Sequence, residues 1–568
     1  MFINPKVSVI IPVYNGSNYL REAIDSALAQ TYENIEVIVV NDGSNDSGKT
    51  EEIAKSFGDK IRYFRKDNGG VATALNLGIK ESQGEYVSWL SHDDLYFKNK
   101  IEIQVKYHEN INDDFVITFS DFDVHNLNNN SKYTNRISYD MSTISSTLKL
   151  LFSSSIHACT ILFPKSCFER VGLFSEDLKT IQDYDFLFAL LKKGYMFRHI
   201  PQSLIVTRHH REQCTNTLLD YHIQELYVLY KNAVNNFIEE FRNYTNKELI
   251  EYKHVMEGRG LVKLAKIFDD LMDAFENIKK IESGTPVIWL YWENKRGRET
   301  PVIIKLCHET IWKNNHKDYI VVVTNQDNIN YYLPDLSADY LLLEKIAHRA
   351  DYLRFNLLYR YGGIWLDSDF VCFKSLTPLN ENIRKYGFVY TGYKMEDGKT
   401  FPIIHFLGAT KKNNIFKNLI DNVHSILDKK VKNGIQPEWD EIGGYPLMKL
   451  LTNNNSLLCD ESHFAPVDVH GYGQRQMFLP TAECDTKCKS AFGQMLCYSV
   501  HSDFYETMGD DILRMDCYVA DILNVSLKRS TIVSIRTDNA LRIIYNKFKW
   551  ILPQSLINYV KISVGRGR

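Results

Sequence analysis

Paired carboxylates, each following a short apolar run, are the residues of this chain best suited to chemistry. Ser91-His92-Asp93-Asp94 follows Glu85-Tyr86-Val87-Ser88-Trp89-Leu90, and Asp367-Ser368-Asp369 follows Gly362-Gly363-Ile364-Trp365-Leu366. A carboxylate cluster at the end of a buried strand can hold a divalent cation against a diphosphate, because hard oxygen ligands suit Mg2+ and Mn2+. A cation so placed acts as a Lewis acid on charge developing at a departing phosphate. Two such clusters imply two sites.

Other residues stand ready beside them. Tyr14, just past an apolar run, can pack on a nucleobase, and Asp42 can accept hydrogen bonds from a base or ribose. Asp351 and Arg354 lie three apart on a predicted helix and so share a face. That helix stops at Gly362-Gly363, and the following strand is expected to place Asp367 and Asp369 on one side of the pleat with Ser368 opposite. Trp289 and Trp365, within strand-like runs, read as core aromatics.

The elements that must position these groups show in the apolar pattern. Val7–Val13 is a continuous apolar run bounded by Pro5 and Asn15-Gly16, as a strand buried on both faces should be. Tyr19, Leu20, Ala23, Ile24, Ala27 and Leu28 then recur at helical spacing. Residues 35–40 form a second buried run, ending at Asn41-Asp42-Gly43-Ser44. Residues 61–64 form a third, followed by Asn68-Gly69-Gly70 and a helix through Ala74, Leu75 and Ile79. This rhythm predicts a parallel α/β sheet with its ligands at the carboxyl ends of the strands, where Asp42, Asp93 and Asp94 fall. Residues 218–281 read as a charged helical connector, and at Gly284-Thr285-Pro286 a second α/β pattern begins. Its strands are expected at residues 287–291, 320–323 and 363–366.

Composition bounds the rest. A chain of 568 residues exceeds one hydrophobic core and implies several domains. At 44% apolar and 24% charged residues, with a formal net charge of −3, it is ordinary for a soluble globular protein. Its 34 Tyr and 30 Phe suit stacking on sugars and bases. No apolar run is long enough for a transmembrane helix, and residues 1–6 lack the features of a secretory signal. Ten scattered cysteines form no disulfide framework, so a cytoplasmic location is expected. Cys484, Cys488 and Cys497, with His501 beyond, match no standard pair of zinc knuckles; a zinc site and buried free thiols both remain open.

The N-terminal motifs resemble the family 2 glycosyltransferases of the GT-A fold, over residues 5–215. Matching stretches run in order: Val9-Ile10-Ile11-Pro12-Val13-Tyr14-Asn15, Asn41-Asp42-Gly43-Ser44, and Asn68-Gly69-Gly70 with Ala74-Leu75-Asn76. Gly84-Glu85-Tyr86, Ser91-His92-Asp93-Asp94, Gln182-Asp183-Tyr184-Asp185 and Arg208-x-His210-x-x-Gln213 continue the series. The resemblance implies that Pro12, Tyr14, Asp42 and Asn76 contact the nucleotide, and that Asp93, Asp94 and His210 hold the metal. It also implies that Asp183 is the general base that takes the acceptor hydroxyl's proton, with inversion at the sugar. The alternative for Asp183 is a carboxylate favoured at a helix N-terminus. The family has Asp where this chain has Ser91, so the triplet lacks its first carboxylate.

The second half resembles capsular-polysaccharide-type glycosyltransferases related to family 32, and more distantly the sugar-transferring clostridial toxins. Ile288-Trp289-Leu290-Tyr291-Trp292, His348-Arg349-Ala350-Asp351-Tyr352-Leu353-Arg354 and Tyr361-Gly362-Gly363-Ile364-Trp365-Leu366-Asp367-Ser368-Asp369 carry this likeness. It implies that Trp292 stacks on the base, that Asp351 and Arg354 hold ribose and donor sugar, and that Asp367 and Asp369 hold the metal. It further implies a retaining transfer, with no base or nucleophile to nominate. His501 is a third metal ligand on one reading and a solvent or hydrogen-bonded histidine on the other.

The resemblances together imply α/β architecture with two GT-A-type nucleotide-sugar domains on a helical linker, divided at residues 1–215, 216–283, 284–520 and 521–568. They imply Mn2+ or Mg2+, nucleotide-sugar donors (UDP-sugars foremost) and a glycan or lipid-linked glycan acceptor. The expected activity adds two sugars to a growing bacterial surface polysaccharide, a capsule or lipopolysaccharide. A single active C-terminal transferase with a degenerate first domain, and a non-enzymatic glycan-assembly protein, are the alternatives. Residues 526–568 hold nine Lys/Arg and one Asp, and Leu541, Ile544, Tyr545, Phe548, Ile551 and Leu552 make an apolar stripe at helical spacing. That tail reads either as an interfacial helix on anionic lipid, placing the chain on the cytoplasmic face of the inner membrane, or as a packing helix with a basic end. Nucleic acid is not an expected partner, since the rest of the chain is acidic and carries no binding motif.

Overall fold

The computed structural model describes residues 4–451, apart from 138–142, 212, 214–216, 295–297, 396 and 439–440, together with 456–459, 491 and 493–496. The chain divides into two compact units, Met1–Met272 and Asp273–Arg568.

In the first unit β1 (Val7–Val13) is buried along its whole length, as its unbroken apolar run requires. It lies parallel to both β2 (Ile35–Asp42) and β4 (Tyr86–Trp89), and β2 lies parallel to β3 (Arg62–Lys66). The order β3-β2-β1-β4 sends the loops after β1, β2 and β4 out of one edge of the sheet. Tyr14, Asp42 and Asp93 leave from that edge. The helix Leu20–Leu28 buries Leu20, Ala23, Ile24 and Ala27 on one face, as their spacing predicts. Beyond β4 come β5 (Leu95–Tyr96), β6 (Val116–Asn126), β7 (Ser131–Asn135), β8 (Leu162–Pro164) and β9 (Met196–His209), with β8 antiparallel to β4 and β9 parallel to β6. The end of β9 brings Arg208, and His210 just beyond it, beside the exit of β4.

The stretch read as a connector is helical, but up to Met272 it packs on the first unit instead of spanning open space. Leu219–Asn236, Ile238–Arg242 and Asn246–Gly258 are helices, the last opened by a Thr245–Glu248 capping box. Phe152 lies among Phe188, Tyr230, Phe241, Tyr252 and Phe268, with ring centroids between 4.8 and 5.9 Å away. Arg259 donates to the Phe152 carbonyl at 2.9 Å. Buried aromatic area of this kind is what holds amphipathic helices in place.

In the second unit β10 (Val287–Tyr291) runs parallel to β11 (Ile320–Thr324) and β12 (Gly363–Leu366). After β13 (Phe370–Cys372), β14 (Phe388–Lys394), β15 (Thr400–Ala409) and β16 (Leu457–Cys459) complete a sheet ordered β11-β10-β12-β15-β14-β16, while β17 (Gly493–Met495) pairs with β13. Ile288, Leu290, Ile364, Leu366 and Phe406 are fully buried at its centre. Gly362 and Gly363 have φ of +71° and +97°, and a Cβ on Gly363 would lie 2.5 Å from the Val287 carbonyl. Only glycine passes from helix to strand there. Both units are therefore α/β with parallel central strands. Among the described residues no helix is long and apolar enough to cross a membrane. His501, the cysteines at 484, 488 and 497, and the basic tail lie outside the described residues.

Candidate functional sites

The first site forms where β1, β2, β4 and β9 end. Pro12 is buried within β1 opposite Val40, and Tyr14, just beyond, is 43% exposed, with its ring available to a ligand. Asp42 closes β2 and is almost fully buried. Its Oδ1 accepts from Lys66 Nζ (2.7 Å) and the Gly69 amide (3.0 Å), and its Oδ2 from the Gly70 amide (2.8 Å). Asp42 thus folds the 68–70 loop onto the strand end, a role its expected contact with base or ribose did not include. Gly43, at φ +72°, lets that loop approach; a Cβ there would sit 2.6 Å from the Asn68 nitrogen.

Asn76 also does something other than contact a nucleotide. Its amide nitrogen donates to the Phe174 carbonyl and to Glu176 Oε1, both at 2.9 Å, and its Oδ1 accepts from the Phe174 amide at 3.0 Å. Both amide hydrogens are taken, so the side chain ties the helix Val71–Glu81 to the 174–176 loop.

The two aspartates of the first cluster differ sharply. Asp93 Oδ2 lies 2.9 Å from His210 Nε2, and Arg208 Nε donates to the Asp93 carbonyl. Burial works to raise the Asp93 carboxyl, but His92 and His210 beside it bring it below the usual range. Asp94 turns inward: its Oδ1 accepts the Arg208 amide (3.0 Å), and its Oδ2 lies 3.4 Å from Cys159 Sγ. Burial, reinforced by the charge on Asp93, pushes the Asp94 carboxyl up to about 7. Asp94 is thus engaged inward by the Arg208 amide and Cys159, whereas the Asp93 carboxylate pairs with His210. Cys159 also accepts from the Ser91 amide at 3.3 Å, in the corner where a carboxylate at position 91 would set a second charge against Asp94.

His157, which sequence reasoning passed over, sits in this corner. Its Nδ1 accepts the Cys159 amide at 3.3 Å, so the hydrogen-bond pattern assigns the proton of the neutral ring to Nε2, 3.7 Å from Asp94 Oδ2. The Asp94, His157 and Cys159 ligand atoms lie within 4.8 Å of one another. With Nε2 protonated and a buried thiol pushed well up, that cluster is a poor cation site as it stands. His157 interacts electrostatically with both Asp93 and Asp183. Asp183 occupies the first turn of the helix Gln182–Lys192, so the helix-terminus reading holds. Burial raises its carboxyl to about 6, opposed by the Tyr184 amide and His157, which leaves a group able to take up a proton near neutrality.

The second site forms where β10, β11 and β12 end. Asp351 and Arg354 share the inner face of the helix Ile346–Tyr361, both buried. Arg354 Nη2 lies 3.0 Å from Asp367 Oδ1 and 3.3 Å from Asp351 Oδ1, and Nη1 donates to the Ile404 carbonyl. Arg354 is thus held between two carboxylates, where its charge first neutralises them. Burial pushes Asp351 up to about 7, with Arg354 opposing and Asp367 adding to the rise. Trp365 is buried, as a core aromatic should be, yet its indole Nε1 donates to Asp367 Oδ1 at 2.9 Å and its ring lies 4.9 Å from the Arg354 guanidinium. Strand alternation carried a signal for this, since residues two apart share a face.

Asp367-Ser368-Asp369 lies one step beyond its expected place. β12 ends at Leu366 and the triplet makes a turn, closed by the Phe370 amide on the Asp367 carbonyl at 3.2 Å. Ser368 turns inward to donate to the Tyr291 carbonyl (2.8 Å), while Asp367 and Asp369 remain half-buried. Trp292, at the exit of β10, donates Nε1 to Asn294 Oδ1 at 2.7 Å. It lines a cleft of about 260 Å3 together with Asn294, Lys305, His308, Asn325 and Asp327. The cleft opens at the carboxyl ends of parallel strands, where α/β sheets bind ligands.

Residues 8–171 match the family model described as glycosyl transferase family 2, and residues 242–432 match that described as capsular polysaccharide synthesis protein. An uncharacterized glycosyltransferase of Rickettsia typhi is 50% identical over 220 residues, which span 38% of this chain and 68% of that relative. One from Rickettsia felis is 46% identical over 239 residues, 42% of this chain but 39% of that longer protein. The crystal structure of S. aureus TarS 1–349 in complex with UDP-GlcNAc overlays 50% of this chain and 93% of its own, at 17% identity and a TM-score of 0.34.

Proposed function

We infer, from the premise that this chain belongs to the glycosyltransferases, that it carries two transferase sites and adds two sugars to a growing bacterial surface glycan, a capsule or lipopolysaccharide. One recurrence carries the reading. In each unit an aspartate pair follows the carboxyl end of a central parallel strand, and an aromatic residue, Tyr14 or Trp292, follows the end of the neighbouring strand. That arrangement suits a nucleoside diphosphate sugar, with the base on the aromatic ring and the diphosphate against the acids.

Asp93 with His210, and Asp367 with Asp369, would hold Mn2+ or Mg2+, whose hard character fits the carboxylate donors. A bound cation would supply charge neutralisation to the leaving diphosphate. In the first unit Asp183 takes the proton from the acceptor hydroxyl, which gives inversion at the anomeric carbon. In the second unit Arg354 keeps Asp351 and Asp367 in place through its two ion pairs, and the transfer is read as retaining. The domain limits given by the sequence belong to the same reading, as does a membrane role for the basic tail, for which a lipid-linked acceptor is the reason.

A second reading, in which only the C-terminal site is active, is favoured by Ser91 and by the inward turn of Asp94. Hydrolysis of UDP- and GDP-sugars with Mn2+, measured for Asp183→Ala and Asp369→Ala separately, decides between them. Loss in both variants, each for its own donor, supports two sites; loss in Asp369→Ala alone supports the second reading. If the wild-type chain neither hydrolyses nor binds any nucleotide sugar, the transferase reading itself falls.

A further inference from the structure

The exit of β10 carries a second group on the wall of the cleft beside Trp292. Glu293 lines the cleft as well, and its carboxylate is gripped from two sides. Arg349 donates Nε to Glu293 Oε2 at 3.0 Å and Nη2 to Oε1 at 2.5 Å, and the Tyr291 hydroxyl donates to Oε2 at 2.7 Å. The two charged side chains are 11% and 8% exposed. A fork-to-fork pair fixes orientation as well as distance. The remaining Arg349 nitrogen, Nη1, donates to the carbonyls of Leu343 and Glu344, just ahead of the helix Ile346–Tyr361.

That helix is the one that carries Asp351 and Arg354, and Arg354 in turn holds Asp367. One buried pair therefore links the segment bearing Trp292 to the helix that carries Asp351 and Arg354 and, through Arg354, holds Asp367. Desolvating two charges is an inefficient route to stability, because apolar residues of similar size do as well or better. A geometric role explains its presence better. The two ends of a nucleoside diphosphate sugar must be met at a fixed separation, and small misplacements are costly to transfer.

We propose that Glu293 and Arg349 are positioning residues of the second site, setting Trp292 at a fixed distance from Asp351, Arg354 and Asp367 so that a nucleoside diphosphate is held at both ends. The inference rests on the transferase reading of this unit. Neither residue touches the reacting atoms; both act through Trp292.

The test uses the full chain and UDP with Mn2+ as the probe, read by tryptophan fluorescence. The part of the signal lost in Trp292→Phe reports the second site alone. Glu293→Gln and Arg349→Lys are each expected to weaken that binding roughly tenfold, and the double variant to be no worse than the weaker single, since both remove one interaction. Their melting temperatures should stay close to wild type, and the donor KM should rise more than kcat falls. Arg349→Lys keeps the charge and supplies a folded variant should Glu293→Gln unfold. Wild-type affinity in the singles, or fully additive losses in the double, would overturn the proposal. A wild-type chain without any Trp292-dependent signal would instead remove the transferase reading of this unit, a separate outcome.

Discussion

Asp94→Asn tests whether Asp94 serves as a metal ligand or as a buried structural carboxyl. Asp94 is 2% exposed and its carboxyl is held at about 7, against an ordinary 3.8. A raised carboxyl means the native state binds the proton more tightly than the unfolded chain. Stability contributed at this site is therefore present at low pH and lost as pH rises from about 4 to about 7. That rise sets a ceiling on the order of 4 kcal/mol of destabilisation above the window. Asparagine is neutral at every pH and can still accept the Arg208 amide through Oδ1. Its loss of an acceptor facing Cys159 offsets part of the gain. Urea unfolding of the full chain should show the variant more stable than wild type by about 1–3 kcal/mol at pH 8.5, with the difference shrinking towards pH 5. Mn2+-dependent donor hydrolysis at the first site should survive in Asp94→Asn and be lost in Asp93→Asn. A pH-independent stability difference, or equal loss of hydrolysis in the two variants, would refute the reasoning.

Phe152→Ala should destabilise the chain by about 3–5 kcal/mol, because it removes the ring at the centre of five others, and Phe152→Leu by markedly less. Calorimetry that found under about 1 kcal/mol for the alanine variant would mean the helices after residue 218 do not share the first unit's core. Acceptor-dependent turnover at the first site should fall below pH 6 as Asp183 takes up its proton, and Asp183→Asn should abolish it at every pH. An acid limb near pH 4 would assign the base elsewhere.

Much of the framework was legible from local pattern. β1 and β12 occupy the residues their apolar runs marked, because a strand buried on both faces announces itself by continuity alone. The placing of Asp42, Asp93, Trp292 and Asp367 at strand ends followed from the same runs. What escaped was partnership. Nothing near Asp42 says that two loop amides and the lysine that ends β3 will fill its oxygens, nor near Asn76 that its amide will close on Phe174. Asp93 and Asp94 are neighbours of identical chemistry. Only the arrival of β9 gives one a histidine partner and the other a backbone amide in the interior. Side-chain periodicity is a property of neighbouring residues and so was set by the sequence alone. Which polar group meets which depends on segments brought together by folding, and there only the tertiary structure decides.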